Sequence, residues 1–150
     1  LEQLRPGLTE LQVAGLLEHA LRDAGSEAFP FETIVASGPR SALPHARASA
    51  RVIERGDFLL IDFGALSGGY CSDITRTVVV GQANGEQRAI HDIVRQANAT
   101  AVAGVRAGMT GRDADALARG YIEARGWGAA FGHSLGHGLG LEVHEAPRLS

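Results

Sequence analysis

The pattern of apolar and polar residues along the chain predicts three helices. The first is expected from Thr9 to about Ala24, where Thr9 and Gln12 have the spacing of a capping box. Two more are predicted from about residue 86 to 105 and from residue 110 to about 125, because apolar residues recur there at helical spacing. In the first helix the apolar stripe consists of Val13, Leu16, Leu17, Ala20, Leu21 and Ala24.

Shorter runs of apolar and β-branched residues predict strands. We expect strands at residues 31–36, 58–65 and 70–80, the last two joined by the sequence LSGG. The sequence SGPRSALPH, residues 37–45, is predicted to be a loop because it combines Gly, Ser and Pro. The segments at 58–65 and 70–80 therefore predict a β-hairpin.

The chain also repeats itself once. Residues 105–129 align without gaps on residues 4–28, at an offset of 101 positions. A single repeat of this kind favours a duplicated α+β half, although two unrelated helices with similar caps would give the same pattern. The identical pairs are Arg5/Arg106, Gly7/Gly108, Thr9/Thr110, Leu16/Leu117, Gly25/Gly126 and Ala28/Ala129.

Two aspartates lie in segments that otherwise resemble buried strands, Asp62 in FLLIDFGAL and Asp73 in GGYCSDITRTVVV. If the turn is centred between Ser67 and Gly68, these aspartates are directly opposite each other across the hairpin. A buried carboxylate needs a cation or hydrogen-bond donors to offset its desolvation, so the pair predicts a metal site. The alternative is an aspartate pair that faces water at the hairpin end.

Half of the six histidines lie in one run, FGHSLGHGLGLEVHE, which contains His133, His137 and His144. Its frequent glycines make a helix improbable and favour an extended segment whose backbone crowds a ligand. Imidazole combined with two carboxylates suits Mn, Co, Zn or Fe. His45, which follows Pro44 in the predicted loop, is by itself typical of a solvated residue.

Composition limits the function classes. The chain has 150 residues, 45% of them hydrophobic, so we expect one domain over residues 1–150. A net charge of -3 and the lack of any Lys/Arg block argue against nucleic acid, and no apolar run reaches the length of a membrane span. The single cysteine, Cys71, suits a reducing compartment, so a cytoplasmic location is expected.

Several motifs together resemble the pita-bread metallopeptidases: LRPGLTE, IVASG, LPH, GDFLLIDFGA, GGYCSDITRTVVVG and GHSLGHGLGLEVHEAP. This family includes methionine aminopeptidase, Xaa-Pro aminopeptidase, Xaa-Pro dipeptidase (prolidase) and creatinase. The sequence SDITRT, with Arg76, and the histidine-rich run are similar to the Xaa-Pro peptidase branch. The resemblance implies an α+β pita-bread fold with an internal pseudo-twofold duplication, truncated here before its last strands.

The resemblance also implies a dinuclear centre with two divalent ions, for which Mn, Co, Zn and Fe stay open. Asp62 would chelate one ion, Asp73 would bridge both, and His137 would complete the shell of the first. The family takes two further glutamate ligands from C-terminal strands that these 150 residues do not contain, and Glu142 and Glu145 lie in the wrong context to replace them. We therefore expect the 150-residue chain by itself to be inactive and the complete enzyme to be a metallopeptidase.

The implied reaction is hydrolysis of Xaa-Pro peptide bonds by a metal-activated bridging hydroxide. In this resemblance His45 and His144 are catalytic residues that face the scissile peptide, and His133 lines the substrate pocket. The expected partners are short peptides with proline at the second position, neither nucleic acid nor a membrane, and a homodimer stays open. Arg40 stands where the family often has Asn, which affects substrate details. The alternatives are a methionine aminopeptidase and a family member that binds peptides without cleaving them.

Overall fold

A computed structural model describes residues 4–150, which fall into two units. The first unit consists of residues 4–84 and 139–143, and the second of residues 85–138 and 144–150. The helices are α1 (Glu10–Asp23), α2 (Gly85–Gly104) and α3 (Gly111–Glu123). The strands are β1 (Ile34–Ser37), β2 (Phe58–Phe63), β3 (Leu66–Ser67), β4 (Tyr70–Cys71), β5 (Ile74–Val79), β6 (Gly136–Gly138) and β7 (Glu145–Leu149), and short 3-10 turns form at Gly38–Ala42 and Gly128–Ala130.

Helix α1 begins as its capping box predicts. The Thr9 side chain accepts from the Gln12 amide, and the Gln12 side chain accepts from the Thr9 amide, at 3.1 and 2.8 Å. At the other end Gly25 has a φ of 95°, a left-handed conformation that favours glycine and ends the helix. The apolar side of α1 packs into the core of the first unit, whose buried members are Val13, Ala14, Val35, Ile53, Leu59, Ile61 and Val80.

The sheet of the first unit is antiparallel, in the order β1-β2-β5. Within it Asp62 pairs with Ile34 on one side and with Thr75 on the other. The prediction that Asp62 and Asp73 lie directly opposite each other is therefore wrong. The turn is centred on Gly68 and Gly69, whose positive φ angles of 57° and 81° suit a type I′ hairpin, one residue further along than we expected.

The predicted strand at 70–80 is divided into β4 and β5, and Asp73 lies in the gap between them. At this division the backbone of Gly64 approaches Ser72 so closely that a Cβ atom there would lie 2.1 Å from the Ser72 carbonyl oxygen. Across the gap, the Ala65 amide donates a hydrogen bond to the Ser72 side chain at 2.9 Å. Asp73 is thus two residues before Thr75, diagonal to Asp62 rather than opposite it.

Part of the second unit repeats the start of the first, namely a capped helix followed by a strand. Helix α3 has a capping box between Thr110 and Asp113, and Gly126, at a φ of 81°, follows it. Strand β6 lies about 101 residues after β1, so the correspondence continues into the strand that follows the helix. The pita-bread duplication predicted from the sequence is confirmed. Helices α2 and α3 pack closely through small side chains, and their buried core is Ala97, Ala101, Ala118 and Ile122.

We predict opposite effects for two glycine-to-alanine changes. Gly64→Ala should lower the free energy of unfolding by about 1–3 kcal/mol or more, because the new methyl group collides with rigid backbone at Ser72. Gly15→Ala, inside α1 and with open space around it, should raise it by about 0.5–1 kcal/mol. Urea unfolding of the two variants checks this, and an unchanged midpoint for Gly64→Ala would contradict the close backbone contact at that position.

Candidate functional site

Asp62 is half-buried on β2 and lies beside the carboxylate of Asp73. Its Oδ1 accepts a hydrogen bond from the Thr75 hydroxyl at 2.9 Å. Burial raises the pKa of Asp62 above its ordinary value, and the nearby Asp73 carboxylate raises it further, against the opposing hydrogen bond from Thr75 and the charge of His45. The structure therefore brings Asp62, Asp73 and His45 together in the first unit.

His45 is exposed and lies in the loop after the 3-10 turn at Gly38–Ala42. The sequence alone favoured a solvated histidine there. The structure places it near enough to Asp62 for its charge to lower the pKa of that carboxyl. His45 is therefore a neighbour of the carboxylate pair and not an isolated loop residue.

His137 lies in the second unit on β6, where it pairs with Arg148 of β7. The segment is extended, which confirms the prediction against a helix. The Nδ1 atom of His137 lies 2.9 Å from the Gly138 carbonyl oxygen. A carbonyl oxygen can only accept, so Nδ1 is the donor in this contact and Nε2 is the ring nitrogen that would bind a metal ion.

His144 contacts His137 directly, with ring centroids 4.3 Å apart and a tilt of 51°. Between these residues Gly138 approaches β7 so closely that a Cβ would lie 2.3 Å from the Ala146 carbonyl oxygen. We expected the glycines to let the backbone approach a ligand. At Gly138 the backbone instead approaches the neighbouring strand β7. This close approach of backbones places the two imidazoles side by side.

His133 is exposed, but its backbone is held by an ion pair on α3. Asp115, only 7% exposed, accepts from the Leu135 amide at 2.8 Å and from the Arg119 guanidinium at 3.0 Å. Arg119 in turn donates to the carbonyl oxygens of His133 and Phe131 at 2.8 and 2.9 Å. The Arg119 hydrogen bond outweighs burial and holds the pKa of Asp115 below its ordinary value.

Sequence reasoning missed Asp115 and Arg119, as well as the buried carboxylate of Glu10. Asp115 and Arg119 have the i,i+4 spacing of an ordinary surface ion pair, which is common on helices. The available signal was position: Asp115 directly follows Ala114 on the buried side of α3. A charged residue inside an apolar stripe needs a partner, and that partner fixes the histidine segment.

The donors suit a divalent ion chemically. Two neighbouring carboxylates, one with a raised pKa, repel each other and would be stabilised by a cation. Across residues 4–150, however, the side chains form no group of three or more His, Cys, Asp or Glu arranged to hold a metal. The assignment of Asp62, Asp73 and His137 as ligands, of His45 and His144 as catalytic and of His133 as substrate-binding stays a prediction.

Comparison with known proteins identifies the family. The sequence profile of metallopeptidase family M24 matches residues 1–150. The chain belongs to the M24 metallopeptidases. It is 50% identical over 150 residues to the Xaa-Pro dipeptidase of Pyrococcus furiosus, a match that covers all of this chain and 43% of that protein.

Solved M24 structures share the fold. The Xaa-Pro dipeptidase from Bacillus anthracis superposes with a TM-score of 0.97 at 53% identity, over 99% of this chain and 42% of the other. The X-Pro aminopeptidase from Thermotoga maritima gives a TM-score of 0.96 at 52% identity, again over 99% and 42%. The chain thus spans less than half the length of the M24 relatives it matches. In the part of the chain that the structure describes, no helix is long and apolar enough to cross a membrane.

Two aspartate–arginine pairs on helices allow a matched test of the His133 support. Asp115→Asn should lower the free energy of unfolding at pH 7 by about 1–3 kcal/mol, because it weakens a buried charged hydrogen-bond network. The exposed pair of Asp92 and Arg95 on α2 is the control, and Asp92→Asn should change stability by at most about 0.5 kcal/mol.

The stability difference between the wild type and Asp115→Asn should depend on pH. Because folding lowers the pKa of Asp115, its contribution is fully present above the unfolded value of about 3.9 and is lost as the pH falls through the lower folded value. Urea unfolding from pH 7 down to about pH 2 should show the Asp115→Asn difference shrinking in acid. A difference independent of pH would contradict this assignment.

Proposed function

We propose that this chain is the part of a metal-dependent exopeptidase that supplies Asp62, Asp73 and His137 to two divalent ions, and that the whole enzyme hydrolyses Xaa-Pro peptide bonds. The observation that carries the proposal is the half-buried carboxylate pair in which burial and Asp73 raise the pKa of Asp62. Such a pair is costly in an apoprotein and useful beside a cation. Membership of the M24 family and the names of the relatives supply the reaction class.

The metal identity follows only in part from the donors. Two carboxylates with one imidazole suit Mn, and also Co, Zn or Fe. When bound, two such ions supply Lewis acidity that makes water a competent nucleophile near neutral pH.

The chain's own residues hold these donors in position. The hydroxyl of Thr75 donates to Asp62 and limits rotation of its carboxylate. Because Nδ1 of His137 donates to the Gly138 carbonyl oxygen, Nε2 is the ring nitrogen that would bind a metal ion. The tilted contact with His137 restrains the ring of His144.

The substrate-facing groups are histidines. His45 and His144 would donate hydrogen bonds to the scissile peptide and to the oxyanion that develops on it, which stabilises charge in the transition state. His133 would line the pocket that accepts proline. The half-buried thiol of Cys71 suits a reducing location, so we place the enzyme in the cytoplasm.

Removing a ligand should abolish catalysis without unfolding the protein. In the full-length protein with Mn²⁺ added, Asp62→Ala and His137→Ala should each lower kcat/KM for an Xaa-Pro dipeptide by at least about 100-fold and lower the bound metal. His91→Ala, at an exposed position of α2, is the control and should keep wild-type activity.

Substrate choice distinguishes the related activities. Xaa-Pro dipeptides, Xaa-Pro-Yaa tripeptides and Met-Ala-Ser should be compared in the same assay. Cleavage of the proline peptides supports the proposal, and preference between the first two separates dipeptidase from aminopeptidase activity. Cleavage of Met-Ala-Ser alone would replace the proposal by a methionine aminopeptidase, and no cleavage by a metal-loaded protein would favour a peptide-binding role.

A further inference from the structure

Glu10, in the first turn of α1, is a fully buried acid that the proposed chemistry does not use. It is 0% exposed, and both of its carboxylate oxygens accept hydrogen bonds. Oε1 accepts from the amide and the hydroxyl of Ser37, each at 2.8 Å. Oε2 accepts from the amide and the hydroxyl of Ser49 at 3.0 and 2.6 Å, and from Nε of Arg40 at 3.1 Å.

These five donors enclose the loop that carries His45. Ser37, the last residue of β1, is the first residue of the loop, and Ser49 is its last. Arg40 lies inside the loop and also donates from Nη2 to the Arg47 carbonyl oxygen at 2.6 Å. One carboxylate therefore fastens the start, the interior and the end of residues 37–49, which we call the His45 loop.

Three residues at the tip of the His45 loop lie on the surface, and the residue that follows them, Ala46, is buried. Leu43 is 51% exposed, and Pro44 and His45 are exposed as well. The backbone bonds of the tip are local, from Leu43 to Arg40 and from Ala46 to Leu43. Exposed backbone with local bonds opens easily, so the position of His45 depends on how the two ends of the loop are held.

Helix capping does not explain Glu10. The Thr9–Gln12 capping box already satisfies the first amides of α1, and the amides of Glu10 and Leu11 donate to the carbonyl oxygens of Arg51 and Ser49. Although burial alone would raise the pKa of Glu10, hydrogen bonds from Ser49 and Ser37 and the charge of Arg40 hold it below its ordinary value. The carboxylate is thus kept ionised in the interior by groups of the His45 loop.

We propose that Glu10 is a positioning residue, which fixes the His45 loop and thereby places the His45 imidazole for the reaction. The inference rests on the proposed function, because it takes the substrate-facing role of His45 from there. The carboxylate of Glu10 accepts from Ser37, Arg40 and Ser49, none of which is a predicted ligand. Its effect on catalysis should pass through His45 and therefore appear mainly in kcat.

Limited trypsin digestion of the full-length protein tests the loop without reference to activity. Glu10→Gln replaces one acceptor oxygen with an NH2 group that faces hydrogen-bond donors, so the His45 loop should be held less firmly. Trypsin cleavage after Arg47 should then accelerate about tenfold or more. Asp115→Asn is the control, because Asp115 is also a buried helical acid but accepts from Arg119 and the Leu135 amide, which lie outside the His45 loop. Unchanged cleavage after Arg47, or equal acceleration in the control, would overturn the proposal.

Ser49→Ala serves if Glu10→Gln does not fold. It removes one hydroxyl donor at the end of the His45 loop and leaves the carboxylate in place. We expect faster cleavage after Arg47 by about threefold, with cleavage elsewhere in the chain unchanged. Faster cleavage at all sites would indicate general destabilisation and would count against positioning.

A double-mutant cycle tests the link to catalysis. Glu10→Gln should lower kcat for an Xaa-Pro dipeptide about tenfold with KM within about twofold, and it should have almost no further effect in the His45→Ala background. Equal losses in both backgrounds would overturn the route through His45. If the wild-type protein shows no turnover, the proposed function fails, the catalytic part of this inference fails with it, and the trypsin result alone decides whether Glu10 fixes the loop.

Discussion

Repulsion between the carboxylates of Asp62 and Asp73 is the interaction on which the proposed metal site depends. Neither aspartate lies in a fully solvated position, and the pKa of Asp62 is raised by burial and by its acidic neighbour. A sheet surface does not acquire such a pair for stability, because removing carboxylates from water opposes folding. The arrangement is reasonable only if a positive charge is present during function. In the proposed function, divalent ions would provide that charge.

Both units use a buried helical acid to fix a segment that carries histidine. Glu10 on α1 binds the His45 loop, and Asp115 on α3 binds the Leu135 amide and, through Arg119, the His133 carbonyl. The two acids do not align in the internal repeat, since Glu10 corresponds to Gly111. The repeat therefore accounts for the helix in each unit, whereas the buried acid on that helix stands at a different position in each. Loops that carry chemistry need such support because their tips bury little apolar surface.

Local signals predicted the helices and their ends well. The capping residues Thr9 and Thr110 and the glycines Gly25 and Gly126 act over a few residues, so their effect could be recognised in the sequence. The register of the hairpin could not, because it depends on whether Gly68 and Gly69 both adopt positive φ. The close approach of Gly64 to Ser72 was missed for a related reason: it is a tertiary contact and not a preference of the strand itself. For the candidate site, residue types and motifs named the histidines and aspartates, but the supporting acids Glu10 and Asp115 became visible only through their tertiary partners.

The most direct test of the central claim is a crystal structure of the full-length protein grown with Mn²⁺, with the ions located by their anomalous scattering. We expect the manganese to be held by the side chains of Asp62, Asp73 and His137. Manganese bound elsewhere, with Asp62 and Asp73 in contact only with water and protein, would contradict this expectation.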